Sequence, residues 1–580
     1  MKNYRLLLVF GLAILVWGLH VLALFRPDGF GFDQLSYFPE AAALSWSFLI
    51  LLLILASWFA DRDGLLPRFG SKISLALLGL LWLAALVWLK TSTPLLGDGR
   101  DRIWSISRQG YELFRGQPVP LDLLIHWVLY KAALLAGYAL IQAQEASYII
   151  ASYGAGIIYL GVALVSAFRF FEDRKKRILW LSILLTQGYV QLFAGYAENY
   201  SFLPAGLLLW VMSVREAEKG RAWPLVLTQL LLIPLHFFSL LLVPASLYSL
   251  WTRPERRARI MAVVLLLLCC IPAMIAMYMV GEYFRGVAIF LAPDKIFTIS
   301  HLWDFFNHQM LASPTFLILI LLVILFGARI KSSKAEKALG AACLIVLLFF
   351  FALRPVLGAA RDWDLYSFPA MLYTPAALLY LLPRVDQTKK TTARVFLPLL
   401  LVSIFHTATW VWLNHSEQRM VSRIKYHIIQ ESRENRWASS YAFLTICRYY
   451  QQKGSVAEAL EDCAKSVAIY PELALSHMVY ADALWNAGQT LQAISEMETA
   501  QEISPRSPEI GYRLSGYYLQ YGSELIRKNK IPDAEAYFLK AYELDPRSAP
   551  VLQALAQFYN FYLPDPQKAE YYQKLAREQK

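Results

Sequence analysis

The stretch VFLPLLLVSIFHTATWVWL at residues 395–413, followed by NHSEQRMVSRIKYHIIQESRENR at 414–436, divides this chain into two kinds of sequence. The first segment holds no Asp, Glu, Lys or Arg and has nearly the length of about 20 residues that a transmembrane helix needs. Beyond Asn414 the long apolar runs stop and charges recur every few residues. On the N-terminal side, from Leu6 to Leu413, apolar runs alternate with short charged punctuation. Over all 580 residues, 57% are hydrophobic and 17% charged, against roughly 45–50% and about 25% in soluble domains. The reading is an all-α protein: a polytopic transmembrane bundle over 1–413 and a separate soluble helical domain over 434–580.

The formal net charge is +12. Its basic clusters sit between apolar runs, at Arg174 to Arg177, Arg253 to Arg259, Lys331 to Lys337 and Lys389-Lys390. That placement follows the positive-inside rule, so no nucleic-acid partner is expected. No small-residue cleavage site precedes Phe25-Arg26-Pro27, which makes the first apolar run an uncleaved span. Thirteen spans are expected, near 5–25, 46–60, 73–90, 147–168, 178–195, 201–214, 224–235, 237–250, 259–280, 314–329, 337–353, 367–382 and 395–413. With Lys2 and Arg5 cytoplasmic, the basic loops, including Arg62 and Arg68, then fall inside and the C-terminal domain falls outside. Two conditions are needed. Leu123 to Ile141, with His126 and Lys131, must be an interfacial or re-entrant helix. Trp223 to Trp251 must cross twice, turning at Pro234 and His236. Chemistry then belongs to the outer loops 91–146, 196–200, 354–366 and 281–313.

The C-terminal part repeats. Ala459 and Ala493 are 34 residues apart, as are Pro471 and Pro505, and the pattern returns at Ala534 and Pro546 after 41 residues. These match the small-residue and terminal-proline positions of the tetratricopeptide repeat, with seven residues inserted in the last repeat's first helix or turn. A closing helix pair over Ser548 to Arg577 would cap the array. Tyr517, Tyr518, Tyr521, Tyr559 and Tyr562 are read first as inter-helix packing and second as a partner groove. Cys447 and Cys463 fall on the two helices of the first repeat and can pair in an oxidising compartment. Cys269, Cys270 and Cys343 are read as packing residues.

Three outer constellations carry candidate chemistry. The first is Pro94-Leu95-Leu96-Gly97-Asp98-Gly99-Arg100-Asp101-Arg102, followed by Gly110, Glu112, Gly116 and Pro120-Leu121-Asp122. A carboxylate at the mouth of a span reaches both lipid and solvent, and glycines beside it admit another group closely; the plainer reading is a solvated turn or helix N-cap. The second is Gly195-Tyr196-Ala197-Glu198-Asn199-Tyr200, where a solvated Glu would carry no message. The third is Arg354-Pro355 with Arg361-Asp362-Trp363-Asp364-Leu365-Tyr366. Arginines at a membrane surface suit a phosphate, whereas a local salt bridge and an interfacial aromatic belt of Trp363 and Tyr366 are the dull alternatives.

The Asp98 loop, the Gly116 to Leu124 segment, the interfacial helix, the span ending in a basic cluster and the hairpin at Trp223 to Trp251 resemble the GT-C superfamily of glycosyltransferases. With the repeats, the layout resembles the transmembrane-and-tetratricopeptide O-mannosyltransferase type and its bacterial relatives. Two spans rather than one precede the span that ends at this loop, and Gly99 rather than a second acid follows Asp98, leaving Asp101 as the nearest carboxylate. The resemblance implies sugar transfer from a polyprenyl-phosphate donor to an acceptor hydroxyl of a protein or glycan, at the outer face of an inner membrane. Asp98 would be the catalytic carboxylate, with Glu198 as a second acid and Asp101 beside them. Arg354, Arg361 and Arg100 would hold the donor phosphate, and Asp362, Asp364 and His236 would line the site. No metal is assigned, although Asp98, Asp101 and Glu198 would offer three oxygens to a partly hydrated Mg2+ or Mn2+. The alternative is a non-enzymatic membrane anchor that presents repeats to a cell-envelope assembly. A transporter predicts internal repeats among the spans, and none is found.

Overall fold

The computed structural model describes residues 3–59, 71–108, 113, 119–283, 288–327, 332–384 and 389–579. Arg62, Arg68, Gly110, Glu112, Gly116 and Lys331 lie outside the described residues. The fold is all-helical: among the described residues the sole β feature is an isolated antiparallel bridge between Phe290 and Leu353. Two compact units are formed, Met1–His427 and Ile428–Lys580.

In the first unit a helix occupies each of the thirteen expected stretches. By length and composition, however, among the described residues five of these helices can each cross a bilayer: Leu6–Ala23, Glu40–Trp58, Leu140–Phe170, Lys334–Ala352 and Val395–Asn414. A sixth crossing is available if Ile299–Ala312 and Phe316–Leu325, bent by 92°, count as one broken span. The count of thirteen is therefore not reproduced. For several of the others the shortfall is a matter of length. The expected span 178–195 is an 11-residue helix, Arg174–Leu184, about 16 Å at 1.5 Å per residue, followed by a separate 3-10 turn at Gly188–Phe193. Large apolar side chains along these helices, among them Leu22, Phe48, Leu81 and Leu267, remain exposed, as lipid-facing positions do. The chain is an integral membrane protein.

Both helix breaks meet in one place. Ser313 Oγ donates to Gln187 Oε1 at 2.7 Å, and Gln187 Nε2 donates to Ser403 Oγ at 3.1 Å. A Cβ on Gly188 would lie 1.7 Å from Leu311 O, so a residue without a side chain is required there. Ser403 Oγ donates to Thr186 O at 2.6 Å and Gln187 Nε2 to Ile183 O at 2.8 Å, so polar side chains satisfy carbonyls that the break leaves without helical partners. The stretch expected as an interfacial helix is a separate helix, Pro120–Leu135, which ends at Gly137 (φ +88°) before the long helix from Leu140 begins. The hairpin at Trp223 to Trp251 also forms. Its first helix ends at His236, whose Nδ1 accepts from Phe238 N–H at 3.2 Å.

The first unit runs past Leu413 to His427. Arg423 Nε donates to both carboxylate oxygens of Asp33, at 2.9 and 3.0 Å, and Arg423 Nη2 to Phe30 O at 2.7 Å. His427 Nε2 lies 2.6 Å from Asp33 Oδ2. This buried triad fixes the segment after the last apolar helix to the connection between the first two helices.

The second unit is four helix pairs: Arg436–Lys453 with Val456–Ile469, Ala474–Asn486 with Thr490–Ile503, Pro508–Arg527 with Ile531–Leu544, and Ala549–Phe561 with Pro566–Glu578. Ala459, Ala493 and Ala534 are buried where paired helices cross. The insertion lies in the first helix of the third pair, which has 20 residues against 13 in the second pair, a difference of 7. Tyr517, Tyr518 and Tyr559 are buried in the repeat core and donate their hydroxyls to Asp482, Glu498 and Glu535, so they pack. Tyr562 is exposed. Cys447 and Cys463 form a disulfide, with Cα atoms 5.3 Å apart.

Candidate active site

Three loop segments of the first unit converge on Gly97. Thr91 brings the first of them down, pairing its N–H and its hydroxyl with Ala194 O, both at 2.8 Å. The chain then turns at Gly97 (φ +61°) into the helix Gly99–Ser105. A Cβ at Gly97 would lie 2.7 Å from both Asp364 Oδ2 and Glu198 Oε1. One at Gly99 would lie 2.2 Å from Ala197 O. The two glycines around Asp98 are therefore required by close approach of the 195–200 turn and the 361–366 loop.

Asp98 stands at the N-cap of its helix, but its side chain makes no cap hydrogen bond. It pairs instead with Arg102, Nη2 to Oδ2 at 2.9 Å, one helical turn on. Asp98 N–H donates to Glu198 Oε1 at 2.8 Å, and Asn199 N–H donates to Glu198 Oε2 at 3.2 Å. Glu198 is 1% exposed, so the solvated-turn reading of that residue is overturned. Burial, with the Asp98 and Asp364 charges beside it, holds the Glu198 carboxyl well above its usual range. Burial also pushes on Asp98, yet Arg102 and the hydrogen bond from Glu198 outweigh it and keep Asp98 below the ordinary value. The two acids thus diverge, Asp98 favouring the ionised form and Glu198 the protonated one, as like charges sharing a desolvated site do.

The third segment closes the cluster. Arg361 and Asp362 both donate backbone N–H groups to Gly358 O, at 3.2 and 3.0 Å, and Gly358 takes the left-handed φ of +102° that the turn demands. Arg361 makes no ion pair with Asp362 or Asp364 among the described residues, against the local salt-bridge reading. It reaches across instead, donating from Nη2 to Gly97 O at 2.7 Å. Its Nε and Nη1 are buried with no hydrogen-bond partner. Asp364 Oδ2 accepts from Tyr196 Oη at 3.1 Å, and Tyr196 Oη accepts from Trp363 Nε1 at 3.0 Å. Burial and the Asp98 charge raise Asp364 to about 7. Asp362 turns away to cap Leu357 N–H at 2.8 Å, and burial raises its pKa well above the normal range. Trp363 and Tyr366 are fully buried, so the aromatic-belt reading is corrected: they anchor the loop from inside.

Several expected residues stand elsewhere or play other parts. Arg354 pairs its backbone N–H with Ile289 O at 2.9 Å, and among the described residues no hydrogen bond joins its side chain to the cluster. Arg100 is buried on the same short helix, but the cation that pairs with Asp98 is Arg102. Asp101 is half-buried in the first turn of that helix, next to Arg102. His236 is buried and packs its ring on Tyr200 at 5.2 Å and Phe238 at 4.7 Å; burial, and then the Arg102 charge, lower its pKa to about 3.

A further layer was not foreseen. Asn199, with its amide oriented to satisfy both neighbours, donates to Asp122 Oδ2 and accepts from Arg102 Nη1, each at 3.2 Å. Asp122 faces His126 at 3.2 Å on the next helix turn, and His126 stacks on Tyr148 at 4.1 Å. The i,i+4 spacing of Asp98 with Arg102 and of Asp122 with His126 was the available signal. Among the described residues no three His, Cys, Asp or Glu side chains are arranged to hold a metal ion. The cluster supplies a carboxylate held low, an acid held high, a third acid near 7 and a buried guanidinium with two unused donors.

Residues 515–548 match the family described as Tetratricopeptide repeat. No curated protein sequence matches the chain. Among solved structures the chain is similar to the crystal structure of MamA, at 16% identity over 28% of this chain and 92% of that one, with a TM-score of 0.21. It is similar to ArnT from Cupriavidus metallidurans bound to undecaprenyl phosphate, at 14% identity over 78% of this chain and 81% of that one, with a TM-score of 0.35. It is also similar to the APC/C hetero-tetramer Cut9–Hcn1, at 14% identity over 79% of each chain, with a TM-score of 0.20. Scores this low carry no argument about function. The likeness that stands is local: residues 515–548 match a tetratricopeptide repeat, and the helix pairs on either side repeat its form.

Proposed function

We propose that this chain is a glycosyltransferase that moves a sugar from a polyprenyl-phosphate donor to an acceptor hydroxyl on the non-cytoplasmic face of an inner membrane. The observation that carries the reading is Arg361. A guanidinium 4% exposed, with Nε and Nη1 unpartnered, is costly unless an anion completes it, and it stands beside the Asp98–Glu198 pair in a membrane-embedded unit. A phosphate accepts from such a fork through two oxygens. Asp98, kept ionised by Arg102, is placed to take the acceptor hydroxyl proton, a contribution typically of about 10²–10⁴-fold. As the glycosidic bond to the phosphate breaks, the negative charge that gathers on the leaving phosphate is met by Arg361, a fixed cation that needs no reorganisation. Glu198 and Asn199 hold Asp98 and Arg102 in register.

The repeat unit is assigned to acceptor or partner binding, on the outer side of the membrane; the Cys447–Cys463 disulfide supports an oxidising compartment. No divalent metal is assigned to the site: Asp98 and Glu198 are engaged by Arg102 and by backbone N–H groups.

Binding of a labelled polyprenyl phosphate to the purified protein tests the reading. Arg361→Ala is expected to weaken binding at least about tenfold, and Arg361→Lys to restore part of it, because an ammonium lacks the planar fork. Unchanged affinity in Arg361→Ala contradicts the assignment.

A further inference from the structure

A second feature lies between two other helices of the first unit, next to the basic loop at 253–259, and does not depend on the proposed reaction. Helices Val243–Trp251 and Arg256–Tyr283 flank an open groove of about 320 Å³ lined by Leu247, Tyr248, Trp251, Thr252, Ala262, Val263 and Leu266. Tyr248 and Trp251 are exposed, which suits rings that sit at the headgroup level of a bilayer.

The groove has a charged mouth set by helical register. Arg256, Arg259, Val263 and Leu266 are spaced i, i+3, i+7 and i+10 and so share one face of their helix. The arginines continue the apolar wall toward the helix start, Arg259 within about 6 Å of axial rise of Val263. Arg256, Arg257 and Arg259 are all exposed, and among the described residues none forms an ion pair. Arg259 donates to Pro254 O at 3.0 Å. The acid of this turn, Glu255, is taken by Arg253 at 2.8 Å. An apolar slot that ends in uncompensated guanidinium groups is complementary to a molecule with an aliphatic tail and an anionic head. The inward placement of basic loops puts it in the leaflet that carries anionic lipid.

We propose that this groove is a binding site for one anionic phospholipid, with an acyl chain between the two helices and the phosphate held by Arg256 and Arg259. No bond is made or broken there; the site selects its lipid by headgroup charge.

Native mass spectrometry of the delipidated full-length protein tests this, with phosphatidylglycerol or phosphatidylcholine of identical acyl chains added in turn. One phosphatidylglycerol is expected to be retained in preference to phosphatidylcholine. Arg256→Gln with Arg259→Gln should cut that preference about tenfold to thirtyfold, as two surface arginines allow. Leu266→Trp, which fills the slot and leaves the charges, should lower retention of both lipids. Lys175→Gln with Lys176→Gln, in another basic loop, should change nothing. Equal retention of the two lipids by the unaltered protein overturns the proposal, as does a phosphatidylglycerol preference that survives the double arginine substitution.

Discussion

Asp364 shows how one residue's surroundings set the pH at which the cluster works. Burial and the Asp98 charge lift its pKa to about 7, so it is protonated below neutrality and ionised above. An ionised Asp364 raises the basicity of Asp98, because each carboxylate opposes the other's charge. Under the proposed mechanism kcat/KM should therefore rise as pH passes upward through about 7, and Asp364→Asn should flatten that limb. A pH–rate profile of sugar transfer checks this, and an unaltered limb in Asp364→Asn would remove Asp364 from the site. At this scale the sequence was partly legible. Asp98, Glu198 and Arg361 were singled out as charged residues on outer loops, and they meet. Arg102 was passed over for Arg100, and Arg354 was included. Both choices depend on where a side chain points around a turn, which residue spacing alone leaves open outside a helix. Had the helix Gly99–Ser105 been recognised, the i,i+4 pairing of Asp98 with Arg102 would have followed.

Helices and their joints were legible where a period or a breaker marks them. The 34-residue spacing located the repeat helices, and the 41-residue interval placed seven extra residues in a first helix or turn; they lie in the helix Pro508–Arg527. The membrane part was less legible. Composition shows where apolar runs are, but the break at Leu184–Gly188 depends on the contact of Gly188 with Leu311, far away in sequence. The repeat unit has its own core, with the disulfide joining its first two helices. A fragment of residues 428–580 should accordingly fold alone. The disulfide closes a loop over a sequence separation of 16 residues, and loss of a bridge of this size costs about 3 kcal/mol. Cys447→Ser with Cys463→Ser should lower the denaturation free energy of that fragment by about this much, as measured by urea titration followed by circular dichroism. An unfolded spectrum for the disulfide-bonded fragment would contradict its independence.

For the whole molecule, the carboxylate cluster has meaning as a catalytic site only if its loops face the side where donor and acceptor meet. From the alternation of basic loops in the sequence, residue 580 is expected on that same side. A reporter that is active only in the cytoplasm, fused after Lys580, should be silent; activity would require an even number of crossings and would undo the assignment of the outer loops. The central claim is that Asp98 removes a proton during sugar transfer from a lipid-linked donor. The direct measurement is turnover of a labelled polyprenyl-phosphate sugar in membranes containing the full-length protein or Asp98→Asn. The substitution keeps the side chain's size and removes its basicity. Expression and membrane insertion should survive while transfer falls by about 10²–10⁴-fold. Normal turnover by Asp98→Asn would contradict the catalytic assignment.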